Sequence, residues 1–323
     1  MTTAHAAINP ADVRALRPVE GDELAAVVRE LRLAGDPDAR VGVPDEVWEA
    51  RPELAHVRQA AHARTLSADA VLGVVLARVA LLTPPTVRLP AIVAGEATLD
   101  LAVGIVASPG SGKTASMACG RELIPTARVD VVDGLPIGSG EGLVDAFLGA
   151  PEDWTDDDGR RRRRRPQVVT AVLATLDEGQ ALVELGGRRG STLLTTMRSG
   201  WSGATLGAAN ASADTHRVVP SGRYRLVVVI AWQPEHAAAI IDDTAGGTPQ
   251  RVVWVNGLDP TVPDDPPAWP GPLDWSPPPT IGNGIVMHVD HEVADGIRAA
   301  QRARVRGEAV SDAEAHDSLS RLK

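Results

Sequence analysis

The sequence predicts an α/β fold in which helices flank a central, mainly parallel sheet, with a helical appendage at the N-terminus. Three short apolar runs, at residues 99–106, 168–176 and 224–232, have the length and composition of buried parallel strands. Segments with helical spacing of Leu, Ala and Val lie between them. This alternation is typical of βαβ units. A chain of 323 residues, 44% of them hydrophobic, can fill such a core.

Residues 1–90 are predicted to form the helical N-terminal appendage. No regular pattern covers residues 1 to about 20, whereas 21–33 and 44–82 have helical spacing of apolar residues, with Pro44 suited to a first helical turn. Prolines at positions 84, 85 and 90 interrupt that pattern. The central domain is therefore expected to begin near residue 91.

Residues 91–260 are predicted to hold the sheet and its helices. In order, we expect strand 99–106, helix 114–123, strand 128–132, helix 141–148, strand 168–176, helices around 180–209, strand 224–232 and a short strand at 252–255. The remaining segment, 261–323, is expected to be a Pro-rich linker followed by a polar helix from residue 290.

A charged insertion interrupts this order at residues 151–166. Aspartates at positions 156–158 precede six consecutive arginines, Arg160–Arg165. Blocks of like charge are usually solvated loops. A row of guanidinium groups also suits the phosphates of DNA. The sequence leaves both interpretations open.

Composition restricts the class of protein. A formal net charge of −10 argues against a protein that coats nucleic acid with its whole surface, but it is compatible with a local basic groove. Cys119 is the single cysteine, and the N-terminus lacks the basic and apolar regions of a secretory signal. No apolar run has the roughly 20 residues of a membrane helix. We expect a cytoplasmic protein without a membrane span.

The strongest motif follows the first predicted strand. Residues 107–114 read Ala-Ser-Pro-Gly-Ser-Gly-Lys-Thr, which matches the [AG]-x-x-x-x-G-K-[ST] pattern of a phosphate-binding loop (P-loop) between a strand and a helix. Backbone N–H groups of such a loop surround the phosphates of a nucleotide. The residues expected to bind ATP are Ser108, Pro109, Gly110, Ser111, Gly112, Lys113 and Thr114.

The lysine of this motif is unusual for the chain. Of 32 Lys and Arg residues, only Lys113 and Lys323 are lysine. A compact ammonium fits between phosphate oxygens where a planar guanidinium does not. Lys113 is therefore expected to neutralise the β- and γ-phosphates, and the Thr114 hydroxyl to bind Mg²⁺. A coincidental glycine-rich turn is the alternative interpretation.

Two further strand ends carry polar groups that ATP hydrolysis requires. Asp177 and Glu178 follow an apolar run, where Asp177 would hold Mg²⁺ and Glu178 would act as general base. Gln233 follows the run that ends at Trp232, a position suited to sensing the γ-phosphate. Both patterns also occur as ordinary strand ends, the second as a turn set by Pro234. Stabilisation of transition-state charge would require an arginine, for which the candidates are Arg251, Arg198, Arg188 and Arg189. Most arginines in this chain are nevertheless expected on the surface.

Taken in order, several motifs resemble the helicase-like ATPase part of phage and plasmid primase-helicases. The likeness is greatest to their actinobacterial relatives, which are commonly described as bifunctional primase/polymerases, and it covers roughly residues 45–323. The motifs are Gly110-Ser-Gly-Lys-Thr114, Gly138-Ser-Gly-Glu-Gly-Leu143, Leu176-Asp-Glu-Gly-Gln-Ala-Leu182, the segment Thr195–Gly207, Tyr224-Arg225, Trp232-Gln-Pro-Glu235 and Gly247-Thr-Pro-Gln-Arg251.

The resemblance implies a RecA-like P-loop NTPase that uses ATP and Mg²⁺, assembles into a homo-oligomeric ring, and acts on single-stranded DNA in the replication of a mobile element. It implies Gln233 as sensor and Arg251 as a trans-acting or sensor arginine. Relatives continue beyond a helix like the one expected at His316–Lys323 into a small winged-helix-like domain, so the chain is expected to be truncated before it. The region before residue 85 is too short for a primase domain and lacks its carboxylate cluster, so a separate primase is an expected partner.

The leading hypothesis is therefore an ATP-dependent DNA helicase or translocase that hydrolyses ATP with Lys113, Thr114, Asp177 and Glu178. The first alternative is a DNA-binding or assembly protein in which ATP orders a ring without strand separation. A small-molecule kinase with a P-loop is a further alternative, which the Gln-Pro-Glu strand end and the chain length disfavour.

Overall fold

Three helices precede the sheet in the structure, a computed structural model that describes residues 42–155, 157–159, 161–210, 216–241, 247–279 and 284–308. These are α1 (Asp45–Glu49), α2 (Pro52–His62) and α3 (Ala68–Leu82), followed by the short strand β1 (Val87–Arg88). The hydroxyl of Ser67 caps α3 by accepting a hydrogen bond from the Ala70 N–H. The helical prediction for 44–82 is confirmed, while the expected helix at 21–33 lies outside the described residues.

The central elements alternate as the sequence predicts. In chain order they are β2 (Leu101–Val106), α4 (Lys113–Leu123), β3 (Val131–Pro136), α5 (Gly140–Asp145), β4 (Glu152–Thr155), β5 (Arg161–Arg164), β6 (Ala171–Leu176), α6 (Gly179–Gly186), α7 (Leu193–Trp201), β7 (Leu206–Ala208), β8 (Arg217–Val219), β9 (Arg225–Trp232), α8 (Pro234–Ile241), a 3₁₀ turn (Pro249–Arg251) and β10 (Val252–Asn256).

Five of these strands form one all-parallel sheet in the order β10-β2-β9-β6-β3. The predicted α/β class with a mainly parallel, helix-flanked sheet is thus confirmed. Strand β9 lies between β2 and β6, so that Val106 pairs with Trp232 and Leu176 pairs with Ile230. Because the strands are parallel, all five end at one side, which we call the carboxyl edge, and all begin at the opposite side, the amino edge.

Hydrophobic cores cover both faces of the sheet. On one face, Val74 and Leu81 of α3 pack with Val103 and Val227 of the sheet. On the other face, Phe147 and Leu182 pack with Val228. Strand β9 contributes alternate residues to the two cores, and all eight of its residues are buried, as expected for a central strand of a parallel sheet.

The helix before residue 90 is part of the sheet's own core, and in this the structure differs from the expected appendage. Eleven of the fifteen residues of α3 are buried, and a helix that is apolar nearly all round must be covered on most sides. Arg78 of α3, only 1% exposed, donates two hydrogen bonds to Asp133 of β3 at 3.0 and 3.1 Å. The described residues 42–82 therefore form a layer of the central domain.

Boundaries differ from expectation in several places, and the strand β7 stands at Leu206–Ala208 where helices were expected to extend to 209. Strand β3 begins at Val131 rather than 128, and Arg128 and Asp130 form an ion pair just before it. The charged insertion, expected as a loop, contains the antiparallel hairpin β4–β5, in which Glu152 pairs with Arg164 and Thr155 with Arg161. Arg160 of the arginine run lies outside the described residues.

The segment after β10 is extended and packs on helices. Residues 257–279 contain no helix or strand. Leu273 N–H bonds to the Leu123 carbonyl at 2.9 Å, and the Arg64 guanidinium lies 4.2 Å from the centre of the Trp269 ring. Strand β11 (Ile285–Val286) then pairs with β1, and α9 (His291–Val305) follows. The expected helix at 316–323 lies outside the described residues. None of the described helices combines the length and apolarity that a membrane crossing requires.

Candidate nucleotide-binding site

The candidate P-loop lies at the carboxyl edge, between β2 and α4. Its first residue is fixed by the neighbouring strand, because Ala107 N–H donates to the Trp232 carbonyl at 3.0 Å. Gly110 and Gly112 then adopt φ values of 80° and 83°. Only glycine takes this left-handed conformation without strain. The loop consequently turns sharply into the N-terminus of α4, where unpaired N–H groups and the helix dipole favour an anion.

Gly112 is required for space as well as for conformation. A Cβ atom at this position would lie 2.8 Å from Cδ2 of Leu66, which belongs to the α2–α3 corner. At Gly110 a Cβ would meet nothing within 4 Å. The α2–α3 corner thus supports the loop from beneath, while the side of the loop at Gly110 is open.

Lys113 is held against the loop's own backbone. Its ammonium donates to the carbonyl oxygens of Ala107 at 2.7 Å and Ser108 at 2.8 Å. Partial burial lowers the pKa of Lys113, because desolvation disfavours the charged form. The Ser111 hydroxyl also donates to the Ser108 carbonyl, at 2.7 Å, and the neighbouring Thr114 is exposed. Lysine, threonine and backbone donors are therefore gathered at one small surface.

Asp177 and Glu178 lie at the same edge, just beyond the end of β6. Both are exposed, and Glu178 immediately precedes α6. Strands β6 and β2 are separated by β9 alone, which corresponds to roughly 10 Å across the sheet. That spacing leaves room for phosphates and a hydrated cation between the P-loop and the two carboxylates.

Gln233 follows β9, the strand that separates the P-loop from the carboxylates. Its side chain is half-buried, and its carbonyl accepts hydrogen bonds from the N–H groups of His236 and Ala237, both at 3.0 Å, at the start of α8. The structure thus brings Lys113, Gln233 and Glu178 to three adjacent strand ends. The positions of these three residues in the sequence do not reveal that Gln233 lies between the other two.

Arg251 is not part of this group. It precedes β10, whose Val252 pairs with Ala102 near the beginning of β2, so it lies at the amino edge. Along β2, the five residues from Ala102 to the P-loop span roughly 16 Å of extended chain. The Arg251 guanidinium bonds to the Gly247 carbonyl and lies 5.3 Å from the centre of the Trp201 ring. Contact of Arg251 with a nucleotide at the P-loop of its own chain does not fit this geometry, so the trans role stays a prediction.

Arg198 also lies at the amino edge. It lines the same narrow cavity as Arg251, and its Nη1 is 3.5 Å from the Thr248 hydroxyl. Burial and the neighbouring Arg198 both lower the pKa of Arg251. The loop residues Arg188 and Arg189, which follow α6, are exposed.

The glycine-rich segment 138–142 forms a turn that caps helix α5. The Ser139 hydroxyl accepts a hydrogen bond from the Gly142 N–H at 3.0 Å at the start of α5. Glu141 accepts one from the Thr192 hydroxyl at 2.9 Å, and hydrogen bonding lowers the pKa of this carboxyl. The turn follows β3 and therefore borders the candidate site at the carboxyl edge.

Sequence reasoning missed the residues that brace the P-loop from the α2–α3 corner. The Ser67 hydroxyl donates to the Asn256 carbonyl at 2.7 Å. Asp259 accepts from the Ala68 N–H at 3.0 Å and lies 3.1 Å from Nε2 of His62. These contacts join the corner to the end of β10. No local pattern signals them, because the partners are separated by almost 200 positions in the sequence.

The residues at the carboxyl edge fit a magnesium nucleotide. Among the residues that the structure describes, no three His, Cys, Asp or Glu side chains are grouped closely enough to form a metal site by themselves. Mg²⁺ normally takes one or two protein oxygens together with phosphates and water. An exposed Thr114 and an exposed Asp177 meet that requirement.

The sequence matches no protein-family model and no curated protein significantly.

Proposed function

We propose that this protein binds ATP with Mg²⁺ at residues 107–114 and hydrolyses it as a RecA-like DNA helicase or translocase in the replication of a mobile element. The observation that carries the proposal is the order of the strands. This order places the P-loop with Lys113, the amide of Gln233 and the carboxylates of Asp177 and Glu178 at the ends of three adjacent strands.

Each residue of the edge has a separate task in this proposal. Backbone N–H groups of Gly110–Thr114 bind phosphate oxygens, and Lys113 exchanges its two carbonyl partners for them. Thr114 and Asp177 would hold Mg²⁺, which supplies charge neutralisation when bound. Glu178 accepts the proton of the attacking water, and Gln233 contacts the γ-phosphate from the intervening strand.

The first test is the rate of ATP hydrolysis with Mg²⁺, in the presence and absence of single-stranded DNA. Lys113→Ala should abolish measurable turnover, because the Lys113 ammonium is the cation that the P-loop offers to the phosphates. Glu178→Gln should lower kcat on the order of 10²-fold or more while ATP still binds. Glu184→Gln, an exposed substitution on α6, is the matched control and should leave kcat unchanged. Stimulated turnover that survives Glu178→Gln would refute its role as base.

Strand separation on forked DNA distinguishes a motor from an ATP-dependent switch. A helicase should release the displaced strand only with hydrolysable ATP. A switch should bind DNA or assemble with ATP, yet release no strand. Phosphorylation of a small molecule without any effect of DNA would favour the kinase alternative.

A further inference from the structure

The hairpin β4–β5, which we call the arginine ribbon (Glu152–Thr155 and Arg161–Arg164), extends from the amino edge of the sheet. A bridge between Leu148 and Gln167 and a hydrogen bond of 2.8 Å from Gly149 N–H to the Pro166 carbonyl close its base. All four residues of β4 are exposed, and so are Arg163 and Arg164. These six side chains therefore face solvent rather than the core.

The base of the arginine ribbon is fixed to the domain by ion pairs. Arg165 pairs with Asp145 at the end of α5. The same carboxylate accepts from Nε of Arg217 in β8 at 2.9 Å. Hydrogen bonds from Arg165 and Arg217 lower the pKa of Asp145, so it stays ionised. Arg165 thus has a structural task at the base of the ribbon.

Trp154 is the most informative residue of the arginine ribbon. It is 37% exposed, and the guanidinium carbon of Arg164 lies 4.9 Å from its ring centre. A two-stranded hairpin has no core that requires such a side chain. Guanidinium groups next to an exposed aromatic ring are the groups that bind single strands, where phosphates meet the cations and a base stacks on the ring.

Carboxylates on β4 neutralise part of the positive charge of the β5 arginines. Glu152 accepts one hydrogen bond, at 3.0 Å, from Nε of Arg164. A guanidinium carries five N–H donors, so an ion pair of this kind leaves capacity for a phosphate. In a chain with a net charge of −10, a confined basic surface is also a way to attract a polyanion to one place.

We propose that the arginine ribbon binds single-stranded nucleic acid, with backbone phosphates on the guanidinium groups of Arg163 and Arg164 and one base stacked on Trp154. The inference rests on the proposed function, to which it adds the site of DNA contact. An acidic peptide would satisfy the arginines but offers no planar base for the tryptophan, so nucleic acid fits this surface better.

The connection of the arginine ribbon to the candidate active site is short. Six residues join Arg164 to Ala171, the first residue of β6, and β6 ends at Asp177 and Glu178. The ribbon at the amino edge and the two carboxylates at the carboxyl edge thus flank the same strand.

The test is fluorescence anisotropy of a labelled 20-nucleotide oligo(dT) without ATP, over a series of salt concentrations. Trp154→Ala should weaken binding about tenfold or more, and Trp154→Phe should retain most of it, because stacking is lost only in the first. Arg163→Ala with Arg164→Ala should lower the slope of log K against log salt by up to about 1.4, since each phosphate contact contributes about 0.7. The charge-matched control, Arg188→Ala with Arg189→Ala, should change neither quantity.

The outcomes separate this inference from the function on which it rests. Thermal unfolding first shows that each variant is folded. If the ribbon variants bind oligo(dT) like the wild type while DNA still stimulates ATP hydrolysis, the arginine ribbon is not the DNA site and the proposed function stands. If the control pair weakens binding as much as the ribbon pair does, the assignment is also wrong. If the wild type binds an Asp/Glu-rich peptide but not oligo(dT), both the inference and the DNA partner are refuted.

Discussion

Asp130 illustrates how single side chains stabilise the amino edge. Its carboxylate accepts from Arg128 at 3.1 and 2.6 Å and from the Thr170 hydroxyl at 2.5 Å, which joins the start of β3 to the start of β6. These hydrogen bonds, that of Arg128 first, lower the pKa of Asp130 from 3.8 to about 2. No local sequence pattern around Asp130 indicates that it joins these two strands.

The lowered pKa predicts a loss of stability in acid. A carboxyl with a depressed folded-state pKa contributes stability above about pH 4, and that contribution is lost as the pH falls towards 2. Because the side chain is about one-third exposed, we expect about 1 kcal/mol rather than the full linkage value. Asp130→Asn should remove this part of the pH dependence of urea unfolding, whereas the exposed Asp264→Asn should not. An unchanged pH profile in Asp130→Asn would contradict the assignment.

At the scale of elements, Gly120 sets the distance between α3 and α4. A Cβ built at this position would lie 2.8 Å from Cβ of Val74. A β-branched residue has little freedom to move aside. The absence of a side chain therefore allows the helix that begins at the P-loop to pack closely on the helix that covers the sheet.

Gly120→Ala should for this reason destabilise the protein by about 1 kcal/mol or more, because overpacking exceeds the gain in helix propensity. The double variant Gly120→Ala with Val74→Ala should recover stability relative to the sum of the two single changes, as contacting residues do in a double-mutant cycle. Gly138→Ala, where a Cβ meets nothing within 4 Å, is the control. Additive effects of the two changes would show that these helices do not meet at Gly120.

Elements were predictable to different degrees. Strands β2, β6, β9 and β10 and helix α4 agree with the apolar periodicity to within a few residues, because burial on both faces demands continuous apolar runs. The arginine ribbon was not expected as a hairpin, since its pairing depends on cross-strand contacts between Glu152–Thr155 and Arg161–Arg164 and not on hydrophobic alternation.

At the scale of the whole molecule, the two edges of the sheet separate Arg251 from the P-loop. If Arg251 stabilises transition-state charge, it must act on the nucleotide of a neighbouring copy. Two inactive variants, Arg251→Ala and Lys113→Ala, should then restore part of the ATPase activity when mixed. The recovered sites are those in which the Arg251→Ala chain contributes its intact P-loop and the neighbouring Lys113→Ala chain contributes its intact Arg251.

The matched control for this mixing experiment is Lys113→Ala with Glu178→Gln. Both of these residues belong to the same edge of one chain, so mixing should restore nothing. Exchange of subunits is verified by co-purification of differently tagged copies. Copies that exchange without any recovery of the Arg251→Ala and Lys113→Ala mixture would refute the trans role.

The sequence alone determined the α/β class, the P-loop motif at residues 107–114 and the candidate residues Lys113, Thr114, Asp177, Glu178 and Gln233, because buried strands and this motif are local patterns in a chain. Only the tertiary structure decided that β9 separates β2 from β6, that α3 is a layer of the core, and that Arg251 lies at the opposite edge. Strand order and helix packing depend on contacts between residues distant in sequence, and local periodicity does not encode them.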